Sequence, residues 1–89
     1  MQESALRAAC LDVLRLMAAL TRGDDERLRA DAAADLDLAS LTFDSLTLLD
    51  FCMNLEDRTG IVVEPADVLS VTTLNGFVRN IAARTGSGR

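Results

Sequence analysis

The sequence predicts an all-α protein: a small antiparallel bundle of three main helices plus one short helix, with a long loop after the first helix. Two observations lead there. Ala and Leu dominate a chain with one proline and 3% aromatic residues, all Phe, and Ala and Leu give up little freedom on entering a helix. Apolar residues also recur at steps of three and four, which lines up one face of a helix. A length of 89 residues suits a single domain with a modest core. The content of 49% hydrophobic and 26% charged residues is that of a globular chain.

The first helix is expected from about Ser4 to Thr21. Leu6, Cys10, Val13, Met17 and Leu20 form its stripe, and Leu14 and Leu16 widen it. Arg7, Asp12 and Arg15 fall off the stripe; Ser4 is the expected N-cap and Gly23 the expected stop. The pattern weakens from Arg22 to Phe43. Asp24-Asp25-Glu26 can open a short helical stretch through Ala34, and Asp35 to Phe43 then alternates polar with apolar residues. Alternation is a strand signal, but a lone strand has no partner here. An extended loop is expected instead, with Leu36, Leu41 and Phe43 tucked under the helices. A connection of this length is usually functional.

The second main helix is expected from Ser45 to Arg58. Leu48, Cys52 and Leu55, with Leu49 and Phe51 beside them, form its core side. Leu46, Asp50, Met53 and Asp57 fall on another face, flanked by Thr47 and Asn54, so apolar groups and carboxylates mix where water should be. Thr59-Gly60 ends the helix. Ile61-Val62-Val63 reads as a buried linker, and Glu64 to Leu69 as a short helix with Pro65 in its first turn. Thr72 or Thr73 caps a last helix to about Arg84, with Leu74, Phe77, Val78 and Ile81 buried. The domain is expected over residues 1–85, with 86–89 a flexible tail.

The charge is −5, from 14 acidic and 9 basic residues. Such a surface repels phosphate backbones and excludes direct nucleic-acid binding. Cys10 and Cys52 sit inside apolar patterns and are expected as buried free thiols. No apolar segment reads as a leader or a membrane span, so a cytoplasmic setting is expected. His is absent, which removes the commonest general base and the commonest metal ligand. A serine hydrolase is excluded on the same ground, and the glycine-bracketed elbow is missing around Ser45. The acidic run from Asp24 to Asp37 lacks calcium-loop spacing. No metal site and no catalytic residue is expected. By pattern alone Ser45 reads as a helix cap, although Leu48 stands where a capping box wants Glu or Gln.

The chain resembles the acyl and peptidyl carrier proteins of fatty-acid, polyketide and nonribosomal-peptide synthesis. The residues that carry the resemblance are Leu41, Asp44-Ser45-Leu46, the helix through Leu55-Glu56-Asp57, Gly60-Ile61-Val62-Val63 and Thr72-Thr73-Leu74, over about residues 36–84. The resemblance implies that Ser45 receives 4′-phosphopantetheine from coenzyme A, and that the thiol of this arm carries cargo as a thioester. Asp44 and Leu46 then belong to the attachment motif, and Thr47, Asp50, Met53, Glu56 and Asp57 match partner-docking positions. The implied partners are a phosphopantetheinyl transferase, an acyl- or aminoacyl-loading ligase or adenylation enzyme, and an acyltransferase or synthase. Two departures qualify the match. Thr42 stands where the family pattern has glycine, and the helix after Ser45 is less acidic than in fatty-acid carriers. The expectation is a free-standing, monomeric, non-catalytic carrier of polyketide or nonribosomal-peptide type. The alternative is a helical interaction protein with the same fold and no prosthetic group.

Overall fold

The computed structural model describes residues 2–41 and 43–87. The elements run α1 (Glu3–Leu16), α2 (Arg22–Ala30), a 3₁₀ turn (Leu38–Leu41), α3 (Ser45–Thr59), α4 (Pro65–Leu69) and α5 (Leu74–Ser87). The all-α bundle is borne out; the short helical stretch that Asp24-Asp25-Glu26 could open forms α2, which begins at Arg22 and ends at Ala30 rather than Ala34. α1 packs against α3, α5 and α2, while α4 packs on α3. The core takes Leu6, Cys10, Val13 and Leu14 from α1, and Leu48, Phe51, Cys52 and Leu55 from α3. α5 adds Leu74, Phe77, Val78 and Ile81, the stripe read from its spacing. Each such Leu, Val, Ile or Phe side chain, fully buried, stabilises the fold by about 1.5–3 kcal/mol.

α1 is shorter than its pattern. It starts after Gln2, not at a Ser4 cap, and ends at Leu16. Ala18 takes a left-handed φ of 57°. Its amide donates to Arg15 O at 3.0 Å, and the Ala19 amide to Leu14 O at 2.8 Å. This pair of bonds is a Schellman stop, usually built on glycine. With alanine in the glycine place, the sequence conceals it. Leu16, the last residue of the helix, lies exposed, more than about 100° around α1 from the buried face it was expected to widen. Gly23 is no stop: it is the second residue of α2, whose N-cap Thr21 accepts the Asp24 amide at 3.1 Å.

The stretch after α2 is a loop with one piece of ladder. Asp37 bridges Thr73 in antiparallel fashion; the Leu38 amide donates to Thr72 O and the Leu74 amide to Leu36 O, both at 2.9 Å. The alternating run therefore does find a partner, in the turn before α5. Leu36 is buried, and Leu41 and Phe43 are half-buried, as expected.

Arg7, set on the polar side of α1 by its spacing, is half-buried and ties this loop down. Its guanidinium donates to Leu28 O at 2.7 Å, Ala34 O at 2.6 Å and Asn75 Oδ1 at 2.9 Å. Two of these acceptors are carbonyls at and beyond the end of α2, where a helix leaves such groups without partners.

Three further expectations need correction. Leu49 is 45% exposed, because it lies about 110° around α3 from the centre of the buried stripe. Val62 is exposed between half-buried Ile61 and buried Val63, as alternate residues of an extended segment face opposite ways. α5, expected to end near Arg84, continues to Ser87, and residues 88–89 lie outside the described residues. Thr42, the departure from the family glycine, lies outside them as well. Among the described residues, no helix is long and apolar enough to cross a membrane.

Candidate functional site

The start of α3 is held by a polar cap and an aromatic anchor. Asp44, not Ser45, is the N-cap: its Oδ1 accepts the Thr47 amide at 2.7 Å. The amide and hydroxyl of Thr47 hold the Asp44 carboxyl below its usual range, so it is ionised at neutral pH. The capping frame therefore starts at Asp44 and not at Ser45, and Thr47 occupies the third helical position. One residue before the cap, the Phe43 ring lies 5.8 Å from Phe51, and Phe51 lies 6.0 Å from Phe77. This file of rings ties the approach to α3 into the core formed by α3 and α5.

Between these fixed neighbours, Ser45 is exposed in the first helical position, and its hydroxyl makes no hydrogen bond among the described residues. With capping done by Asp44 and packing done by Phe43, Ser45 has no structural duty. A serine that is to carry a bulky phosphodiester needs an exposed, uncommitted oxygen. It also gains from a helix N-terminus, where the backbone field favours negative charge. Ser45 meets these conditions.

An apolar groove of about 240 Å³ opens next to this turn, lined by Leu38, Ala39, Phe43, Leu48, Val68, Leu69 and Val71. Its walls come from the 3₁₀ turn, the start of α3, and α4 with the turn after it. Leu69 is 74% exposed at its edge.

The outward side of α3 carries Leu46 at 70% exposure and Met53 at 57%, with Leu49 beside them. Asp50, Glu56 and Asp57 are exposed on the same helix and form no ion pair among the described residues. Thr47, on the same helix, is half-buried, and its amide is turned to Asp44. Leu49, Val62 and Leu69 were missed as surface apolar groups. For Leu49 the signal was its angular distance from the buried stripe; for Leu69, its place at the end of a short helix. No arginine falls between Arg29 and Arg58, a segment that holds Asp31, Asp35, Asp37, Asp44, Asp50, Glu56 and Asp57. The surface around Ser45 is thus set in an acidic stretch of chain.

Both cysteines are buried and free. Burial pushes the Cys10 thiol up to about 12, and burial with the charge of Asp67 raises Cys52. Thiolate chemistry from the chain itself is suppressed.

Residues 4–81 match the family model described as a phosphopantetheine attachment site. The chain belongs to that family. Its members bind 4′-phosphopantetheine covalently on a serine, and they are non-catalytic carriers of cargo linked to that group. Carrier domains of this kind work with a phosphopantetheinyl transferase and with biosynthetic enzymes. No curated protein and no solved structure matches the chain significantly.

Proposed function

We propose that Ser45 is the serine that holds the arm, and that the chain presents acyl or aminoacyl cargo to the enzymes of a polyketide or nonribosomal-peptide type of specialised biosynthesis. The observation that carries this reading is the exposed, unbonded Ser45 hydroxyl beside a cap that is already made by Asp44. Once attached, the arm supplies a terminal thiol on which cargo is held as a thioester. The chain's own contribution is to display the Ser45 oxygen, keep its surroundings ordered, and offer a surface to partners. Asp44 and Leu46, on either side of Ser45, are the contacts proposed for the transferase. Thr47, Asp50, Met53, Glu56 and Asp57 are the proposed docking positions, and Leu49 joins them on exposure.

The specialised setting is favoured by the apolar weight of this face: Leu46, Leu49 and Met53 interrupt its carboxylates. A loading ligase or adenylation enzyme and an acyltransferase or synthase are the further partners in this reading, which takes the carrier as a monomer in the cytoplasm. Incubation with coenzyme A and a broad-specificity phosphopantetheinyl transferase is expected to add one arm per chain, read by intact mass. Ser45→Ala is expected to abolish the addition. Addition that survives this substitution would place the arm elsewhere.

A further inference from the structure

The groove next to Ser45 has one wall made by an element with few attachments. α4 spans Pro65–Leu69 and buries a single side chain, Val68. A helix this short does not hold its shape alone, so its position depends on what ties its ends. One tie is internal: Asp67 Oδ2 accepts the Glu64 amide at 2.9 Å. The other comes from α5. Arg84 Nη2 donates to Asp67 Oδ1 at 2.5 Å and Nη1 to Asp67 Oδ2 at 3.2 Å, a two-pronged contact. Nη1 also reaches Val62 O, at 3.4 Å, in the segment that leads into α4. Arg84 thus grips both the helix and its approach.

We infer that Arg84 is a positioning residue which, through Asp67, holds α4 in place as the wall of the apolar groove beside Ser45. The planar fork of a guanidinium suits this task, because two parallel bonds to one carboxylate fix orientation as well as distance. Arg84 and the Glu64 amide hold the Asp67 carboxyl below its usual range, so the pair is charged at neutral pH. The groove side of α4, Val68 and Leu69, and Val71 in the turn beyond it, moves with the helix. Loss of the grip is expected to loosen α4 locally and leave α1, α3 and α5 closed. The inference rests on the reading of Ser45 only for the groove's importance, and the arm-free chain tests it. Failure of the arm to attach would leave it standing, and its own failure would leave Ser45 untouched.

The test is amide hydrogen exchange on the full chain with Arg84→Gln, Arg84→Lys, Asp67→Asn and the double variant Asp67→Asn/Arg84→Gln. Ser70 and Val71, which donate to Ala66 O and Val68 O, report on α4; Val78 reports on the bundle. Arg84→Gln is expected to speed Ser70 exchange about fivefold or more and Val78 less than about twofold, while the NMR signals of Leu48 and Phe43 across the groove shift. Arg84→Lys, which keeps the charge without the fork, should recover part of the protection. The double variant should exchange no faster than about twofold beyond Arg84→Gln alone. Unchanged Ser70 exchange, equal acceleration at Val78, no shift at Leu48 and Phe43, no recovery with Lys, or additive single effects would each overturn the inference.

Discussion

Asp44 Oδ1 accepts the Thr47 amide at 2.7 Å, and this bond leaves Ser45 between them without a structural task. The cap fixes the first turn of α3, so the serine is displayed from an ordered helix start. Asp44→Ala is expected to lower the melting temperature by a few degrees and to slow arm transfer, while Asp44→Asn, which keeps an acceptor, should retain most of the stability. The Asp44 carboxyl sits below its ordinary value of 3.8. Its charge-dependent contribution is therefore complete above that value and is lost as pH falls through the lower folded value. Melts of wild type and Asp44→Asn between neutral pH and about pH 3 check the sign: the gap between them should close on acidification.

Arg7 supports the site from a distance. Its guanidinium satisfies Leu28 O and Ala34 O, and the loop it secures runs on to Phe43. Arg7→Met keeps the apolar stem and removes the donors. Leaving part-buried carbonyls without partners is expected to cost about 2–3 kcal/mol. Arg7→Lys should cost less, because one or two of the bonds can be remade. Urea unfolding measures both; a loss under about 0.5 kcal/mol for Arg7→Met would put it among ordinary surface substitutions.

Why some of this could be read from the sequence and some could not follows from the range of the interactions. The α5 stripe and the Gly60 stop, with its φ of 72°, are set by residues within a few positions, and they were legible. So was the exposure of Leu46 and Met53, which face away from the buried side of α3. Arg7 was not, because its acceptors lie 21 and 27 residues along the chain. The Asp37–Thr73 bridge hid for the same reason: pattern gives alternation, but only the fold supplies a partner. At the site, Ser45 was found by resemblance. Local rules made it the cap and missed that the preceding aspartate does that work.

The Ala18 turn offers a test of the hidden helix stop. A non-glycine residue in the left-handed region costs about 1–2 kcal/mol, and glycine loses about 0.5–1 kcal/mol more conformational entropy on folding. Ala18→Gly is therefore expected to stabilise the protein by about 0.5–1 kcal/mol. The denaturation midpoint should rise at unchanged slope. A fall would mean that Ala18 contributes packing that its φ of 57° conceals.

The outward side of α3 is where stability and function should come apart. Met53 is 57% exposed and Asp50 is exposed, so neither Met53→Ala nor Asp50→Arg should change stability by more than about 0.5 kcal/mol or alter helicity. In the proposed reading both face partner enzymes, and the two substitutions should act differently. Asp50→Arg reverses a charge that steers encounter, so its effect on loading should be large at low salt and shrink as salt rises. Met53→Ala removes an apolar contact, so its effect should persist at high salt, at about fivefold or more in kcat/KM for the carrier. Loading assays at two ionic strengths, with circular dichroism as the control, separate these outcomes. Equal loss of helicity in both variants would make the residues structural, and no loss of loading would move the docking surface off this face.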